Sequence, residues 1–249
     1  MKFSANLGFL WADLPLPEAI RAAKAAGFDA VECHWPYDVP PADVAAALAE
    51  TGLPMLGLNT RRGAPGENGL LALPGREADA RAAIEEAIAY ARAIQCGAIH
   101  VMAGFASGPD AARTYRDNLA FACAAAPEIT MMIEPLNRHD APGYFLTTTA
   151  EAAAVIGDVA APNLKLMFDC YHVGRMEGDV TTRFTALLPL IGHVQFAAVP
   201  DRGAPDHGEL DFGFILPELV RLGWDRPLGA EYKPGGDTSA TLGWLERFH

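Results

Sequence analysis

The stretch LKLMFDCYH, residues 164–172, is a short apolar run that stops at a carboxylate, Asp169. The stretch ITMMIEPLN, residues 129–137, has the same form and stops at Glu134. Strands that are buried on both faces of a parallel sheet read as nearly continuous apolar runs. Both stretches therefore predict strands of a parallel sheet that carry an acidic side chain at the carboxyl end.

Eight such runs alternate along the chain with Ala-rich amphipathic stretches, the pattern of parallel strands joined by crossover helices. The 249 residues give roughly 31 residues per unit, and a closed barrel of eight strand-helix units typically has about 250 residues. We therefore predict an α/β fold, a single (β/α)8 TIM barrel that occupies residues 1–249 as one domain. The predicted strands are residues 2–7, 28–33, 54–59, 98–102, 129–134, 164–169, 193–195 and 228–232.

Two other architectures fit the length of the chain. One is a pair of small domains, but there is no long linker or low-complexity tract to divide them. The other is an open, doubly wound sheet, which usually carries a Gly-rich turn after its first strand to bind a nucleotide. Here the first strand runs into Ala5-Asn6-Leu7-Gly8-Phe9-Leu10, which has neither the G-x-G-x-x-G spacing nor a phosphate loop. The sequence therefore favours the closed barrel.

Composition excludes several functional classes. Lys and Arg together number 19 against 31 Asp and Glu, a formal net charge of −12, whereas a general nucleic-acid binder needs a basic face. No run approaches the roughly 18 to 20 apolar residues of a membrane-spanning helix. The four cysteines show no paired spacing, so neither a zinc ribbon nor a disulfide framework is indicated. We expect a cytoplasmic protein with reduced thiols that binds neither nucleic acid nor membrane. The sequence is compatible with a homo-oligomer but does not determine the oligomeric state.

Polar residues lie at or next to the carboxyl end of the last four predicted strands, and successive ones are about one strand-helix unit apart. They are Glu134, Asp169, Gln195 and Glu231. In a barrel this spacing brings one side chain from each strand to the same level of the carboxyl-terminal mouth. A single acid there is as often a helix cap or an ion-pair partner. Three clustered carboxylates would resist joint ionisation without a cation. All-oxygen ligation by these carboxylates and the amide favours Mg or Mn over Zn or Cu.

Other polar residues follow strand ends closely. His172 lies three residues after Asp169, Arg202 follows the seventh predicted strand, and Asn59 and Arg61 stand at the end of the third. An arginine can hold a substrate carboxylate with two hydrogen bonds, and a neutral histidine can hold a substrate oxygen. We predict substrate contacts for these four, although capping histidines and solvated surface arginines are the ordinary alternatives.

Further side chains are expected to line the pocket without an assigned role. They are Asn6, Phe9, Trp11, Glu32, His34, Trp35 and Tyr37. His193 lies two residues before Gln195 and should point to the same side one layer deeper, because side chains alternate along a strand. For His193 we favour a structural role.

Taken together, these motifs resemble the hydroxypyruvate isomerases, which are xylose isomerase-like TIM barrels. The matching blocks run in order from residue 3 to residue 234: FSANLGFL, GFDAVECHWPYD, GENGLLALPGRE, IEPLNRHDAPGYFLT, NLKLMFDCYHVGRMEGD, IGHVQFAAVPDRGAPDHGELDF and GAEYKP. The resemblance implies that Glu134 and Glu231 are the catalytic acid/base pair and also bind the metal, with Asp169 and Gln195 completing that site. It also implies substrate contacts near His172 and Arg202.

The implied activity is that of an aldose-ketose type isomerase for a small 2-oxo-3-hydroxy acid. It would interconvert hydroxypyruvate and tartronate semialdehyde, or the one-carbon-longer 2-oxotetronate and 3-oxotetronate, by metal-assisted proton transfer through an enediolate. Two places depart from the family pattern: the NTRRG loop has two arginines, and DHGEL has His207. Both adjoin the predicted pocket and bear on which substrate is used.

Other functions remain as alternatives. A ketose 3-epimerase would use the same metal and glutamate pair but return the proton to the opposite face of one carbon. A noncatalytic sugar-acid-binding barrel would have little need of an acid/base pair. A DNA-repair endonuclease of related barrel type is the weakest candidate, because it would want more histidine ligands and a basic cleft, and the chain has 7 His and a net charge of −12. No G-x-S-x-G motif supports serine hydrolysis.

Overall fold

The computed structural model describes residues 1–248, and in them eight short strands alternate with helices. The strands are β1 Phe3–Asn6, β2 Ala30–Glu32, β3 Leu58–Asn59, β4 Ala98–His100, β5 Thr130–Ile133, β6 Leu164–Asp169, β7 Ile191–Phe196 and β8 Leu228–Ala230. The α-helices are α1 Leu16–Ala25, α2 Pro41–Thr51, α3 Glu77–Ile94, α4 Gly108–Ala125, α5 Thr149–Val159, α6 Cys170–Met176, α7 Val180–Leu187 and α8 Phe212–Arg221. Two 3₁₀ segments, Leu188–Leu190 and Thr238–Phe248, complete the set within the described residues.

The eight strands are parallel and form one sheet in the order β2-β1-β8-β7-β6-β5-β4-β3. The first and last strands are neighbours, with Ser4 paired to Gly229. The remaining seam between β2 and β3 is bridged by Val31 and Met55, and the Cys33 N–H donates to the Gly57 carbonyl at 3.0 Å. The ring is thus nearly closed, which confirms the predicted TIM barrel and excludes the open, doubly wound sheet.

The predicted strands lie where expected but differ in their ends. β7 begins at Ile191, two residues before the predicted start. Glu134 and Glu231 each lie one residue beyond the last residue of β5 and β8. Glu134 is followed by Pro135, which has no N–H to give to a neighbouring strand, so the ladder stops there.

Local signals explain where several helices begin and end. Prolines occupy the first turns of α1 and α2, where a missing N–H costs nothing. α2 ends at Gly52, whose φ of 69° lies in the left-handed region that glycine adopts easily. α5 begins with a capping box in which the Thr148 side chain accepts from the Glu151 N–H and the Glu151 carboxylate accepts from the Thr148 N–H.

The barrel interior is layered. Ala98, Met132 and Met167 form a small apolar cluster apart from the large core that includes the residues packed between strands and helices. His100, Glu134 and Asp169 each follow one of these residues by two positions, so strand alternation points them into the barrel one layer nearer the carboxyl end. The apolar cluster therefore forms the layer directly below a polar layer in the barrel interior.

Two smaller observations concern the composition-based predictions. The four cysteines all lie within residues 1–248 and are buried as free thiols. Among the described residues, no helix combines the length and apolar character needed to cross a bilayer.

Candidate active site

Three carboxylates form a cluster at the carboxyl end of the barrel, and we call Glu134, Asp169 and Glu231 the carboxylate cluster. Each follows or ends a strand, and their exposed fractions are only 5%, 1% and 5%. Ligand atoms of Glu134, Asp169 and His172 all lie within 4.8 Å of one another. Acidic residues that recur about once per strand-helix unit in the sequence therefore lie close together in the structure.

Asp169 uses its two oxygens differently. Oδ1 accepts the Tyr171 N–H at 2.8 Å and caps the first turn of α6. Oδ2 is buried and has no hydrogen-bond partner among the described residues. The helix-cap alternative thus accounts for one oxygen, while the other remains available to a ligand.

Glu231 is held by donors from three parts of the barrel. Asn6 Nδ2, at the end of β1, donates to its Oε1 at 2.9 Å, and His34 Nε2 lies 2.9 Å from the same oxygen. Arg202 Nη2 donates to Oε2 at 2.5 Å. Burial acts to raise the pKa of Glu231, but the positive charge of Arg202 and the hydrogen bond from His34 outweigh it and hold the pKa at about 2.

Glu134 has a different environment. Its Oε1 is buried without a hydrogen-bond partner among the described residues, and the nearest histidine nitrogens are His100 Nδ1 at 3.5 Å from Oε2 and His172 Nε2 at 3.7 Å from Oε1. Burial, with the negative charges of Glu231 and Asp169, raises the pKa of Glu134 well above its usual value. The two glutamates of one site therefore have pKa values moved in opposite directions, which is the usual arrangement for an acid/base pair.

The three carboxylates repel one another when all are ionised, so simultaneous ionisation of the cluster is unfavourable. Burial is also the largest cause that raises the pKa of Asp169, to about 7, while Arg202 acts in the opposite direction. Arg202 is the counter-charge nearest to Asp169 and Glu231, with Nη2 3.6 Å from Asp169 Oδ2. A divalent cation would relieve the remaining repulsion.

Arg202 is fixed by its backbone and by two aromatic rings. Its φ of 60° is left-handed, which is uncommon for a residue with a side chain, and its carbonyl accepts the Lys233 N–H at 2.7 Å. The guanidinium carbon lies 4.9 Å from the Phe9 ring centre and 5.1 Å from that of Tyr171. Arg202 Nε is buried and has no partner among residues 1–248, so one donor is free.

His172 presents a proton rather than a lone pair to the cluster. Its Nδ1 accepts the Asn137 backbone N–H at 3.0 Å and lies 2.8 Å from Asn137 Nδ2, which also donates to Asp140. Burial lowers the pKa of His172 to about 3, so the ring is neutral and its proton must be on Nε2. Nε2 faces Glu134 and Asp169 at 3.7 and 3.6 Å. A protonated nitrogen cannot ligate a metal, so this arrangement favours a substrate contact for His172.

Gln195 lies beside Asp169, with which it is paired across β6 and β7. Its Nε2 donates to Glu32 at 2.6 Å, and its Oε1 is buried without a partner among the described residues. Unpartnered oxygens of Glu134, Asp169 and Gln195 thus belong to one buried polar layer. Their chemistry fits a hard divalent cation.

Two further residues, Arg61 and Asn59, are predicted to contact the substrate, and Asn59 is paired across β3 and β4 with His100. Arg61 makes two hydrogen bonds to Glu86 on α3, at 2.6 and 3.0 Å, and its guanidinium carbon lies 4.7 Å from the Tyr37 ring centre. Asn59 is half-buried, and its carbonyl accepts the Tyr37 hydroxyl. Their substrate roles stay predictions. Among the expected pocket walls, Phe9 contacts the site through Arg202, whereas Trp35 donates to the Thr60 carbonyl.

Some site residues were missed or left without a role. His100 ends β4 at the level of Glu134, and the alternation from Ala98 would have found it. Asn137 orients His172 through a loop contact for which the sequence offers no signal. Asn6 and His34 were expected only to line the pocket, yet both contact Glu231.

Comparison with known proteins gives concordant results. The family model described as xylose isomerase-like TIM barrel matches residues 20–248. The 2-oxo-tetronate isomerase of Cupriavidus necator is 44% identical, over 99% of this chain and 98% of the relative. The putative hydroxypyruvate isomerase of Mus musculus is 41% identical, over 100% of this chain and 95% of the relative. A crystal structure described as an AP endonuclease of family 2 from Brucella melitensis has a TM-score of 0.95 and 34% identity, over 100% of this chain and 99% of the other.

Proposed function

The chain belongs to the family of xylose isomerase-like TIM barrels, and from that premise we propose that it isomerises a small 2-oxo-3-hydroxy acid. The substrate would be hydroxypyruvate, which becomes tartronate semialdehyde, or 2-oxotetronate, which becomes 3-oxotetronate. The names of the relatives that match nearly the whole chain at 41% and 44% identity support this class. The observation that carries the proposal is the buried carboxylate cluster, with its unpartnered oxygens beside the free donors of Arg202 and His172.

Glu134, Asp169, Gln195 and Glu231 would hold a divalent cation, Mg or Mn. Three of the four contribute a buried oxygen that has no hydrogen-bond partner among the described residues, and the fourth, Glu231, is ionised. When bound, such a cation acts as a Lewis acid that stabilises negative charge on substrate oxygens.

The two glutamates would move the proton. Isomerisation of hydroxypyruvate takes a proton from C3 and returns one to C2, while the hydroxyl proton passes from O3 to O2. Carboxylates from β5 and β8 could serve the two carbons from different sides of the barrel. Either glutamate could remove the first proton, and the proposal assigns no order.

Arg202 and His172 would bind and orient the substrate. The free Nε–H of Arg202 would donate to the substrate carboxylate, and the Nε2–H of His172 would donate to an oxygen on which charge develops. Because both side chains are fixed before the substrate arrives, little reorganisation would be needed.

A single assay tests the proposal. The Mn²⁺-loaded protein is incubated with hydroxypyruvate, 2-oxotetronate and a panel of ketoses in D₂O, and products are identified by NMR. We expect conversion of one oxo acid, either of hydroxypyruvate to its aldehyde isomer or of 2-oxotetronate to its 3-oxo isomer. Inversion at C3 of a ketose without turnover of either acid would instead make the chain an epimerase, and tight binding without any turnover would make it a noncatalytic barrel.

A further inference from the structure

Beneath the carboxylate cluster lies a fourth buried acid, Glu32, which has no role in the proposed reaction. Its exposed fraction is 3%. Ser4 Oγ donates to its Oε1 at 2.8 Å, and His193 Nε2 lies 3.0 Å from Oε1 and 3.1 Å from Oε2. Gln195 Nε2 donates to Oε2 at 2.6 Å. Residues from two strands, β1 and β7, are thus gathered around one carboxylate on β2.

Space for this group is provided by Gly229 on β8. A Cβ at position 229 would lie 2.4 Å from Glu32 Oε1, 2.8 Å from His193 Nε2 and 3.0 Å from Gln195 Cγ. Real Cβ atoms essentially never come within 3.0 Å of another atom, so a Cβ here would force Glu32 or His193 to shift. Close packing around Gly229 therefore limits how far Glu32 can shift.

The carboxylate decides which end of the Gln195 amide faces the cluster. A carboxylate oxygen accepts hydrogen bonds, so the amide end next to Glu32 Oε2 must be the NH₂ group. The carbonyl oxygen, Oε1, is consequently turned the other way, and it is the atom without a partner among the described residues. An amide oxygen can bind a cation, whereas an amide NH₂ cannot.

We propose that Glu32 is a positioning residue that holds the Gln195 amide with its oxygen toward the cation. This inference rests on the metal site proposed above. Glu32 does not itself contact substrate or cation; it acts through the hydrogen bond to Gln195. His193 and Ser4 hold Glu32 in place, which gives His193 a definite part in the lower layer.

Glu32→Gln tests the proposal because it changes one atom of the hydrogen-bonding group. The new amide oxygen can still accept from Ser4 and His193 at the Oε1 position, but its NH₂ then faces the NH₂ of Gln195. Two donors repel, so the Gln195 amide loses the partner that fixed its orientation and can present NH₂ to the cation site. Loss of an outer partner of this kind typically weakens metal binding about 10- to 100-fold.

The charge-swapped protein, Glu32→Gln with Gln195→Glu, should reverse the effect. The amide at position 32 then donates to one oxygen of the carboxylate at position 195, and the other oxygen faces the cation. Net charge is unchanged, and a hydrogen bond still joins the two side chains. Ser4→Ala is the matched control, because it removes a hydrogen bond to Glu32 but leaves the bond from Gln195 in place.

The readout is the affinity for Mn²⁺ alone, measured from the EPR signal of the free ion, with thermal unfolding in EDTA as a check on folding. The inference is supported if folded Glu32→Gln binds Mn²⁺ more weakly than the wild type, Ser4→Ala binds it with wild-type affinity, and the swapped protein recovers the lost affinity. Unchanged affinity in Glu32→Gln overturns it, as does a wild-type protein that binds no Mn²⁺. If Glu32→Gln does not fold, the swapped protein is the deciding variant. Weak Mn²⁺ binding by the folded swapped protein overturns the inference.

These measurements need no substrate. Failure of the proposed isomerisation would appear as a wild-type protein that binds Mn²⁺ but converts neither oxo acid. The orienting role of Glu32 would still be decided by the three affinities.

Discussion

Arg202 Nη2 lies 2.5 Å from Glu231 Oε2 and 3.6 Å from Asp169 Oδ2, so one guanidinium stands beside two members of the carboxylate cluster. The arginine and a divalent cation would offset the same negative charge. The contribution of Arg202 to stability should therefore be largest when no metal is bound.

Arg202→Met removes this charge while keeping much of the side-chain volume. Because the carboxylates then lose their nearest counter-charge, we expect the free energy of unfolding in EDTA to fall by about 3–5 kcal/mol. Saturating Mg²⁺ should recover part of the loss. Denaturant unfolding with EDTA and with Mg²⁺ measures both values, and Arg226→Met, which removes a guanidinium bonded to the carbonyls of Ile191 and Gly192, is a control away from the cluster. Equal losses with and without metal would contradict the expectation.

Glu231→Gln should fold but lose turnover by about 10²–10⁴-fold, because general acid-base catalysis typically contributes that much. Asn6 and His34 can still bond to the amide oxygen, but Arg202 then faces an NH₂ group, so the unfolding temperature should fall although the protein still folds. Rates with the better of the two oxo acids, measured at saturating Mn²⁺, check the loss. Wild-type turnover in this variant would remove Glu231 from the mechanism.

His172→Asn separates a substrate contact from a metal ligand. If Nε2 carries a proton, as the hydrogen bond from the Asn137 N–H requires, the variant should bind Mn²⁺ nearly as tightly as the wild type while KM rises or kcat falls. Nitrogen-15 NMR of the labelled ring in the metal-free protein should show the Nε2–H tautomer directly. A loss of Mn²⁺ affinity as large as that of Asp169→Asn would identify His172 as a ligand instead.

Gly229→Ala should destabilise the protein by about 1–3 kcal/mol, as overpacking of a filled interior does, because its Cβ would overlap Glu32. Gly157→Ala is the matched comparison: its Cβ meets nothing within 4 Å and it lies in α5, where alanine is the better helix former. Thermal unfolding of both variants measures the difference. Similar unfolding temperatures would mean that the lower layer adapts more easily than its distances indicate.

His207 gives a pH-dependent test on the loop that follows Arg202. Asp206 and Asp201 accept from its two ring nitrogens at 2.8 and 2.9 Å and raise its pKa above 6.5. A raised pKa in the folded state means that the contribution to stability is present below pH 6.5 and is lost as pH rises through the folded pKa. NMR titration of the His207 ring should therefore give a higher midpoint than the same titration in Asp201→Asn with Asp206→Asn. Identical midpoints would show that the ion pairs do not form in solution.

The sequence was sufficient to predict which acidic residues near the strand ends lie together, but not which side chains surround them. Glu134, Asp169 and Glu231 could be placed together because a parallel barrel repeats at a nearly fixed interval and side chains alternate along each strand. The hydrogen bond from Asn6 to Glu231 spans 225 residues, and no local pattern encodes it.

Loop conformation is the second limit. Arg61 and Arg202 both follow a barrel strand, and the sequence placed both at the mouth. A left-handed backbone and two aromatic rings direct Arg202 inward, whereas Glu86 on α3 draws Arg61 outward. Such differences depend on contacts between distant segments, which only the folded chain reveals.

The Asn6–Glu231 hydrogen bond has a further consequence for how the chain reaches its native state. The first strand must remain without this partner until the eighth has been synthesised and docked, and pairings so distant in sequence form slowly. Tight Mn²⁺ binding should therefore appear only when the ring has closed. In a refolding experiment the uptake of Mn²⁺ would mark the completion of the barrel, and circular dichroism recorded in parallel would follow the gain of helix.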